Sequence, residues 1–523
     1  MAILKIKHFL HTKKQNYCQS RKKYVSLQPI CVSHAYAELN THMRPRHIAY
    51  IIWAVIALLG AVCLCVPQDG WHIGSWDLRF PTLTEALDLD QTSDISPLDT
   101  LDLATADTTI TNDSVAVGDT IAPTDTATQK TVRPVIPEVK IQTPNGDTRA
   151  HLALFYQALD SADMIPVRVV HYGDSQIEED RITNILRERW QKAYGGGGVG
   201  LIPLHQTIPT RSIAQRLLMN GITQSTQGGP KRYLVYGPRS MRLSDNDYGV
   251  MGQVAVMDSN LVAGSEEITL TIEPIAKKAK TYNYFSRVRL LTDSAYVMKN
   301  FELRILNSQA ASLSPDGLFH LPDSTTHCEL HLQGRGKVYG VSLETPTGVI
   351  VDNIPMRGCS GNIFTRIDGT ALSAFYQETN TRLIILQFGG NMIPQTENPA
   401  TIHGYVKTLR QQVRYLRACA PGASILFIGP SDMSTRIDGE MKTYPLVPYL
   451  DRMLQKMAQE EQIAYWSMYK AMGGENSMVK WVEIGLAGSD YVHFTRSGAN
   501  KIGKTLGTWL DEYPTKPTTQ TTL

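Results

Sequence analysis

The sequence predicts a three-layer α/β/α sandwich interrupted by an inserted β-rich module, and three observations carry that reading. Residues 167–171, 383–388 and 424–428 are short, nearly continuous apolar runs, the pattern of parallel strands buried on both faces. Helical runs at 401–418 and 448–461 alternate with them, as crossover connections between parallel strands require. From about 205 to 345 the period changes. There the segments 267–272, 286–291, 301–306 and 328–332 alternate apolar and polar residues with turn residues between, which fits a β-sandwich or jelly roll.

In chain order, residues 1–46 contain nine Lys or Arg against one acidic residue, Glu38, and read as a basic cytoplasmic N-terminus. Residues 47–66 follow without a charged side chain and are long enough to span a bilayer core as a helix, a retained signal-anchor. Arg44 and Arg46 sit just before it, so the positive-inside bias exports everything that follows to the periplasm or extracellular space. A start at Met43 with a cleaved signal peptide leads to the same compartment by secretion. Residues 67–136 read as a linker. Within it 84–129 carry no Lys or Arg and are dominated by Asp, Thr, Ser and Ala, a composition that cannot bury enough apolar surface to fold. Roughly sixty flexible residues reach on the order of 40 Å, which suits a head working away from a membrane. The α/β domain then occupies 137–204 and 346–513 around the insertion at 205–345, and a Thr-rich tail, 514–523, ends the chain. A net charge of +2 gives no overall preference for nucleic acid.

Three segments carry chemistry. Gly173-Asp174-Ser175 follows the first strand and precedes a helical stretch at 177–190, so the Ser175 hydroxyl projects from the carboxyl edge of the sheet at the positive end of a helix dipole. On its own Gly-Asp-Ser is a common turn. Near the C-terminus Asp490 and His493 stand three apart before a helix at 497–512, a spacing that lets the carboxylate fix the imidazole tautomer while the other ring nitrogen acts as a base. Together they form a triad candidate in the order Ser, Asp, His. The run 383–388 ends in Gly389-Gly390-Asn391, where a side-chain amide at a strand end has the placement of an oxyanion donor.

These segments in this order resemble the GDSL/SGNH hydrolase superfamily. Its first block is matched by Gly173-Asp174-Ser175, its third by Gly389-Gly390-Asn391 and its fifth by Asp490 and His493. For the second block, which supplies an oxyanion-hole glycine, the match is Arg357-Gly358-Cys359-Ser360-Gly361, with Gly358 preferred and Gly361 in reserve. Gln176 replaces the usual leucine and Met392 the usual acid, neither at a position that carries chemistry in the family. The resemblance implies a flavodoxin-like core and a serine ester hydrolase. Ser175 would be the nucleophile, His493 the base, and Asp490 the group that holds and charge-compensates it. The backbone N–H groups of Ser175 and Gly358 and the Asn391 amide would meet the oxyanion, with Asp174, Gly173 and Gly390 in support. No metal or cofactor is expected. The β-rich insertion and the glycine-rich segment 194–203 are similar to those of peptidoglycan O-acetylesterases, which implies a glycan or cell-wall substrate and O-acetyl groups as the target. A glycan O-acetyltransferase, a lipase or thioesterase of the same class, and a silent glycan-binding protein are the alternatives.

Other residues have plainer readings. Gly195, Gly197 and Gly200 match Gly-x-Gly-x-x-Gly, but a helix precedes them and a proline-terminated stretch follows, so a tight loop shaping one side of the site is expected instead of a nucleotide fingerprint. His171 is read as a packed strand residue, with a substrate contact as the alternative, His403 as surface, and Trp466 and Trp481 as buried. Cys328, Cys359 and Cys419 lie beyond the anchor and permit at most one bridge among them. The loop 429–432 should border the same sheet edge as Ser175.

Overall fold

The computed structural model describes residues 71–73, 76–78 and 148–512, less 220–221, 224–229, 258–266, 276–279, 294–296, 305–312 and 315–316. The basic N-terminus, residues 47–66 and the tail lie outside the described residues, and among those described no helix is long and apolar enough to cross a membrane. Within the stretch read as a linker, Trp71–Ile73 pairs antiparallel with Trp76–Leu78.

The runs of β-branched and large apolar residues form a five-stranded, wholly parallel sheet. Its strands, numbered in chain order, are β1 (Val167–Gly173), β2 (Val349–Pro355), β3 (Thr381–Gln387), β4 (Ser424–Ile428) and β5 (Ala464–Trp466). Their spatial order is 2-1-3-4-5, the flavodoxin-like order, whose direction of winding reverses between β1 and β3. Alternate side chains go to opposite faces. Val170, Tyr172, Ile384, Leu386, Ile425 and Phe427 pack against α2 (Gly369–Glu378), α3 (Pro399–Cys419) and α4 (Val447–Glu460). Val167, Val169, Leu383, Ile385, Leu426 and Ile428 meet α1 (Thr183–Tyr194), α5 (Arg496–Asp511) and the short helix Ala153–Leu159. Both faces are therefore dry, and the three-layer expectation holds.

One expected helix is divided. Residues 177–190 do not form a single helix, because Ser175–Asp180 is a 3-10 turn that kinks at Glu178 and Glu179 before α1 starts at Thr183. Glu179 and Asp180 take left-handed φ values of 59° and 48°, costly for non-glycine residues. Long-range bonds hold them there. Asp180 accepts from Arg187 at 3.0 Å and from the Arg211 backbone N–H at 3.0 Å, and Glu179 accepts from the Arg211 guanidinium at 3.0 and 3.1 Å. Ser175 thus sits on a strained turn and not on the first turn of α1.

The insertion is an antiparallel β module around its own core of Ile268, Leu270, Val288, Phe319, Leu330 and Val341. Its spine is the 17-residue strand Cys328–Glu344. The first half of that strand pairs with Val297–Arg304 and Glu267–Pro274, the second with Phe285–Thr292 and Gln253–Met257. Gly200–Ile202 also pairs with it, so the module starts at Gly200, inside the segment assigned above to the α/β domain. A buried ionic pin joins module and sheet. On β1, Arg168 donates to Asp352 of β2 at 2.7 and 3.0 Å, to Ser342 at 3.2 Å and to Glu344, and Asp352 also accepts from the Leu201 N–H at 2.8 Å.

The glycine-rich loop serves this joint. A Cβ at Gly348 would lie 2.0 Å from the Gly196 nitrogen and one at Gly198 would lie 2.2 Å from the Leu343 carbonyl oxygen. Gly195–Gly198 therefore pack at the amino end of β2, away from Ser175, and do not shape the side of the site expected of them. Cys328, Cys359 and Cys419 are buried free thiols, and Trp466 and Trp481 are buried at 5% exposure each.

Candidate active site

Strand register brings the chemical segments together. Gly173 at the end of β1 pairs with Pro355 of β2 on one side and Gln387 of β3 on the other, so three loops leave the sheet side by side. The Met356 N–H donates to the Gly173 carbonyl at 2.7 Å and the Asp174 N–H to the Gln387 carbonyl at 3.3 Å, extending the ladder past the strand ends. Asp174, Ser175, Gly358, Gly390 and Asn391 consequently line one cleft of about 310 Å3. It lies at the winding reversal, where open α/β sheets place their ligands.

Ser175 Oγ lies 2.9 Å from His493 Nε2, and His493 Nδ1 lies 2.7 Å from Asp490 Oδ2. The other Asp490 oxygen accepts the Val492 and His493 N–H groups at 3.0 Å each, which closes the turn before α5. Tyr491 adopts φ 56° inside it, and the Gly488 N–H to His493 carbonyl bond of 2.8 Å braces it. Burial alone would raise the Asp490 carboxyl, but the His493 backbone and ring N–H groups hold it below its ordinary value. An ionised carboxylate on Nδ1 directs the proton there and leaves Nε2 to accept from the serine hydroxyl.

Gly358 and Asn391, the residues expected as oxyanion donors, line the same cleft as Ser175. Gly358 lines the cleft with φ 73°, and a Cβ there would meet nothing within 4 Å, so conformation and not space selects glycine. Gly361, the reserve, packs under the Phe388 ring and does not line the cleft. The Asn391 amide donates to Asp174 Oδ2 at 3.3 Å and to the Cys359 carbonyl at 3.1 Å, so both of its N–H groups are engaged and it could meet an oxyanion only by releasing one of these acceptors. Gly173 is needed for packing, since a Cβ would come within 3.0 Å of Ile177 and 3.2 Å of the Gln387 carbonyl.

Asp174 is the perturbed carboxyl of the site. Burial pushes it up to about 6, against the Gln176 N–H bond and the His493 charge. A folded-state value above the unfolded 3.8 means the group's contribution to stability is complete below about pH 3.8 and disappears as pH rises through about 6. Asp174→Asn is expected to flatten that slope. Thermal midpoints of both proteins from about pH 3.5 to 7 test this, and parallel curves would refute it.

Several cleft residues carried no readable signal. Gln176, at the position usually held by leucine, donates to the Val492 carbonyl at 2.7 Å and ties the serine turn to the histidine turn. Arg357 forms a two-pronged ion pair with Glu178, Nε to Oε1 at 2.7 Å and Nη2 to Oε2 at 2.5 Å, linking the Gly358 loop to the same 3-10 turn as Ser175. Both bonds span long sequence separations, which no local pattern reveals. From the loop 429–432, Gly429, Pro430 and Ser431 border the cleft as expected, while Asp432 turns inward to Thr443 and Met478. His171 is fully buried, bonded to Gln387 and Thr183, and burial holds it down to about 3, so it is a neutral packing residue out of reach of substrate. His403 lies on the surface and bonds the Tyr449 hydroxyl at 2.5 Å.

A 2-1-3-4-5 parallel sheet with Ser, Gly, Asn and Asp-x-x-His converging on its carboxyl edge defines an α/β hydrolase domain of the SGNH class. Residues 323–501 match the GDSL-like Lipase/Acylhydrolase family, so that part of the chain carries a GDSL-type acylhydrolase domain. That match starts inside the module and omits the Gly-Asp-Ser block, which the insertion separates from the rest. A solved structure of a peptidoglycan O-acetylesterase is similar over 70% of this chain and 97% of its own, at 20% identity and a TM-score of 0.53, a likeness of fold. A Lactobacillus plantarum protein (19% identity, TM-score 0.24) covers 31% of this chain and 82% of its own. A catalytic mutant of a Geobacillus stearothermophilus acetylxylan esterase (15%, 0.23) covers 31% and 73%. No curated protein matches the chain significantly.

Proposed function

We propose that the protein is an extracytoplasmic serine esterase that removes O-acetyl groups from peptidoglycan or another glycan. The observation that carries the reading is the unbroken relay from Ser175 Oγ through His493 to Asp490, at 2.9 and 2.7 Å. In this reading Ser175 Oγ attacks the acetyl carbonyl as His493 Nε2 takes its proton, and Asp490 balances the imidazolium. The N–H groups of Ser175 and Gly358 meet the oxyanion, and the Asn391 amide joins them by turning one N–H away from Asp174 or Cys359. One such donor contributes about 3–4 kcal/mol to the transition state. His493 then returns the proton to the leaving sugar oxygen, and water, activated by the same imidazole, releases acetate from Ser175.

Three features support the substrate and the compartment. The β module lines the cavity next to the cleft, and the similar structure with a TM-score of 0.53 is that of a peptidoglycan O-acetylesterase. Residues 47–66 with Arg44 and Arg46 before them suit an inner-membrane anchor that exports the domain. The test is acetate release from purified O-acetylated peptidoglycan beside acetylated xylan. Release from peptidoglycan at the higher kcat/KM is the expected result. Release from neither, with preference for long-chain nitrophenyl esters, would overturn the reading, and acetyl transfer to an added sugar outpacing hydrolysis would replace it with a transferase.

A further inference from the structure

A second cavity of about 330 Å3 opens beside the cleft and shares Arg357 with it. It lies where module and α/β domain meet, and its volume is within the range of small-molecule sites. One side is aliphatic, from Val199, Leu201, Ile202, Pro203 and Ile213, and Tyr236 also lines it, a surface suited to the apolar face of a sugar ring.

Three carboxylates and three arginines line it, but they are not paired one to one, because Glu179 is met by Arg211 from outside the lining. Each lining carboxylate already has an arginine: Asp180 has Arg187 at 3.0 Å, Glu178 has Arg357, and Glu179 has Arg211 at 3.0 Å. Arg232 is different. Its guanidinium is held by three neutral groups, Gln253 Oε1 at 2.9 Å, Thr207 Oγ1 at 3.1 Å and the Tyr236 hydroxyl at 3.3 Å. Three anchors fix the fork in space without satisfying its charge, so a ligand anion gains a charge-assisted bond at little ordering cost. The field is felt locally: burial first, and then Arg232, hold the His205 imidazolium below its ordinary range.

We propose that this cavity is a subsite for a carboxylate-bearing sugar of the glycan whose acetyl ester lies in the Ser175 cleft, with Arg232 binding the carboxylate. The inference rests on the glycan reading above and narrows it to acidic glycans. The shared chemistry is a sugar carboxylate, whether the free lactyl group of a muramic acid that carries no stem peptide or the carboxyl of a uronic acid.

The test is direct binding to the full-length protein, which requires no turnover. Titration calorimetry compares a disaccharide containing N-acetylmuramic acid, one containing glucuronic acid, and neutral chitobiose. At least one acidic disaccharide is expected to bind roughly ten-fold or more tightly than chitobiose, with a preference that falls as salt rises. Arg232→Gln should remove the preference and Arg232→Lys should keep part of it. Whichever acidic sugar binds identifies the source of the carboxylate. Equal affinities for all three sugars, or a preference that survives in Arg232→Gln, overturn the proposal. Because binding is read without chemistry, an enzyme that releases no acetate from any glycan contradicts the esterase reading and not this one.

Discussion

Ser175→Ala is expected to lower kcat on acetyl esters by roughly 10^4- to 10^6-fold while leaving the unfolding midpoint within a few degrees of wild type. The two readouts separate because of what Ser175 touches. Its hydroxyl bonds His493 Nε2 at the edge of an open cleft and packs into none of the three cores. Losing one such bond costs about 0.5–1.5 kcal/mol of stability at most, whereas losing the nucleophile removes the acyl-enzyme route entirely. Asp490→Asn is the companion. Its remaining carbonyl oxygen can still accept the Val492 and His493 N–H groups, so the turn survives, but Nδ1 loses its anion. Steady-state hydrolysis of nitrophenyl acetate and labelling by a serine-directed fluorophosphonate check both variants. Wild-type rates in Ser175→Ala would place the chemistry elsewhere.

The parts of this site legible in the sequence were those set by local pattern. β1, β3 and β4 announce themselves because both faces are buried and the residues run apolar without a break. Strand ends then fix where Gly173, Asp174, Ser175 and Asn391 emerge, and in-register pairing of Pro355, Gly173 and Gln387 does the rest. What escaped depends on partners far away in the chain. The kink at Glu178–Asp180 exists because Arg187, Arg211 and Ser212 reward left-handed backbone there, so the helical pattern of 177–190 overran it. The glycines at 195–198 look like a site loop, yet their freedom is used against Gly348 and Leu343, a contact that only the fold reveals. Arg232 lies on the edge strand Lys231–Leu234, too polar to be read as a strand. Its meaning comes from the neutral groups that hold it, Gln253, Thr207 and Tyr236, none of which answers its charge.

Arg168→Met is expected to destabilise the protein by about 3–5 kcal/mol. Arg168 and Asp352 are fully buried and Glu344 is 6% exposed, so when the guanidinium leaves Asp352 has neither water nor a cation, while Glu344 keeps Arg289 at 3.4 Å. Coulomb attraction inside the triad and the cost of taking it out of water nearly cancel, which is why the triad as a whole is weakly stabilising. Removing one partner exposes the whole desolvation cost of the others. The discriminating variant follows from that sign: adding Asp352→Asn and Glu344→Gln to Arg168→Met should recover much of the loss, although the Leu201 N–H then keeps its acceptor in only one orientation of the new amide. Arg168 lies at the amino end of β1, whereas Ser175 and Gly358 follow the carboxyl ends of β1 and β2, so the single variant should lose activity only as it unfolds. Urea midpoints read beside nitrophenyl acetate hydrolysis measure both. A single variant within about 1 kcal/mol of wild type would mean that water reaches the joint or that Arg289, already beside Glu344, compensates both carboxylates.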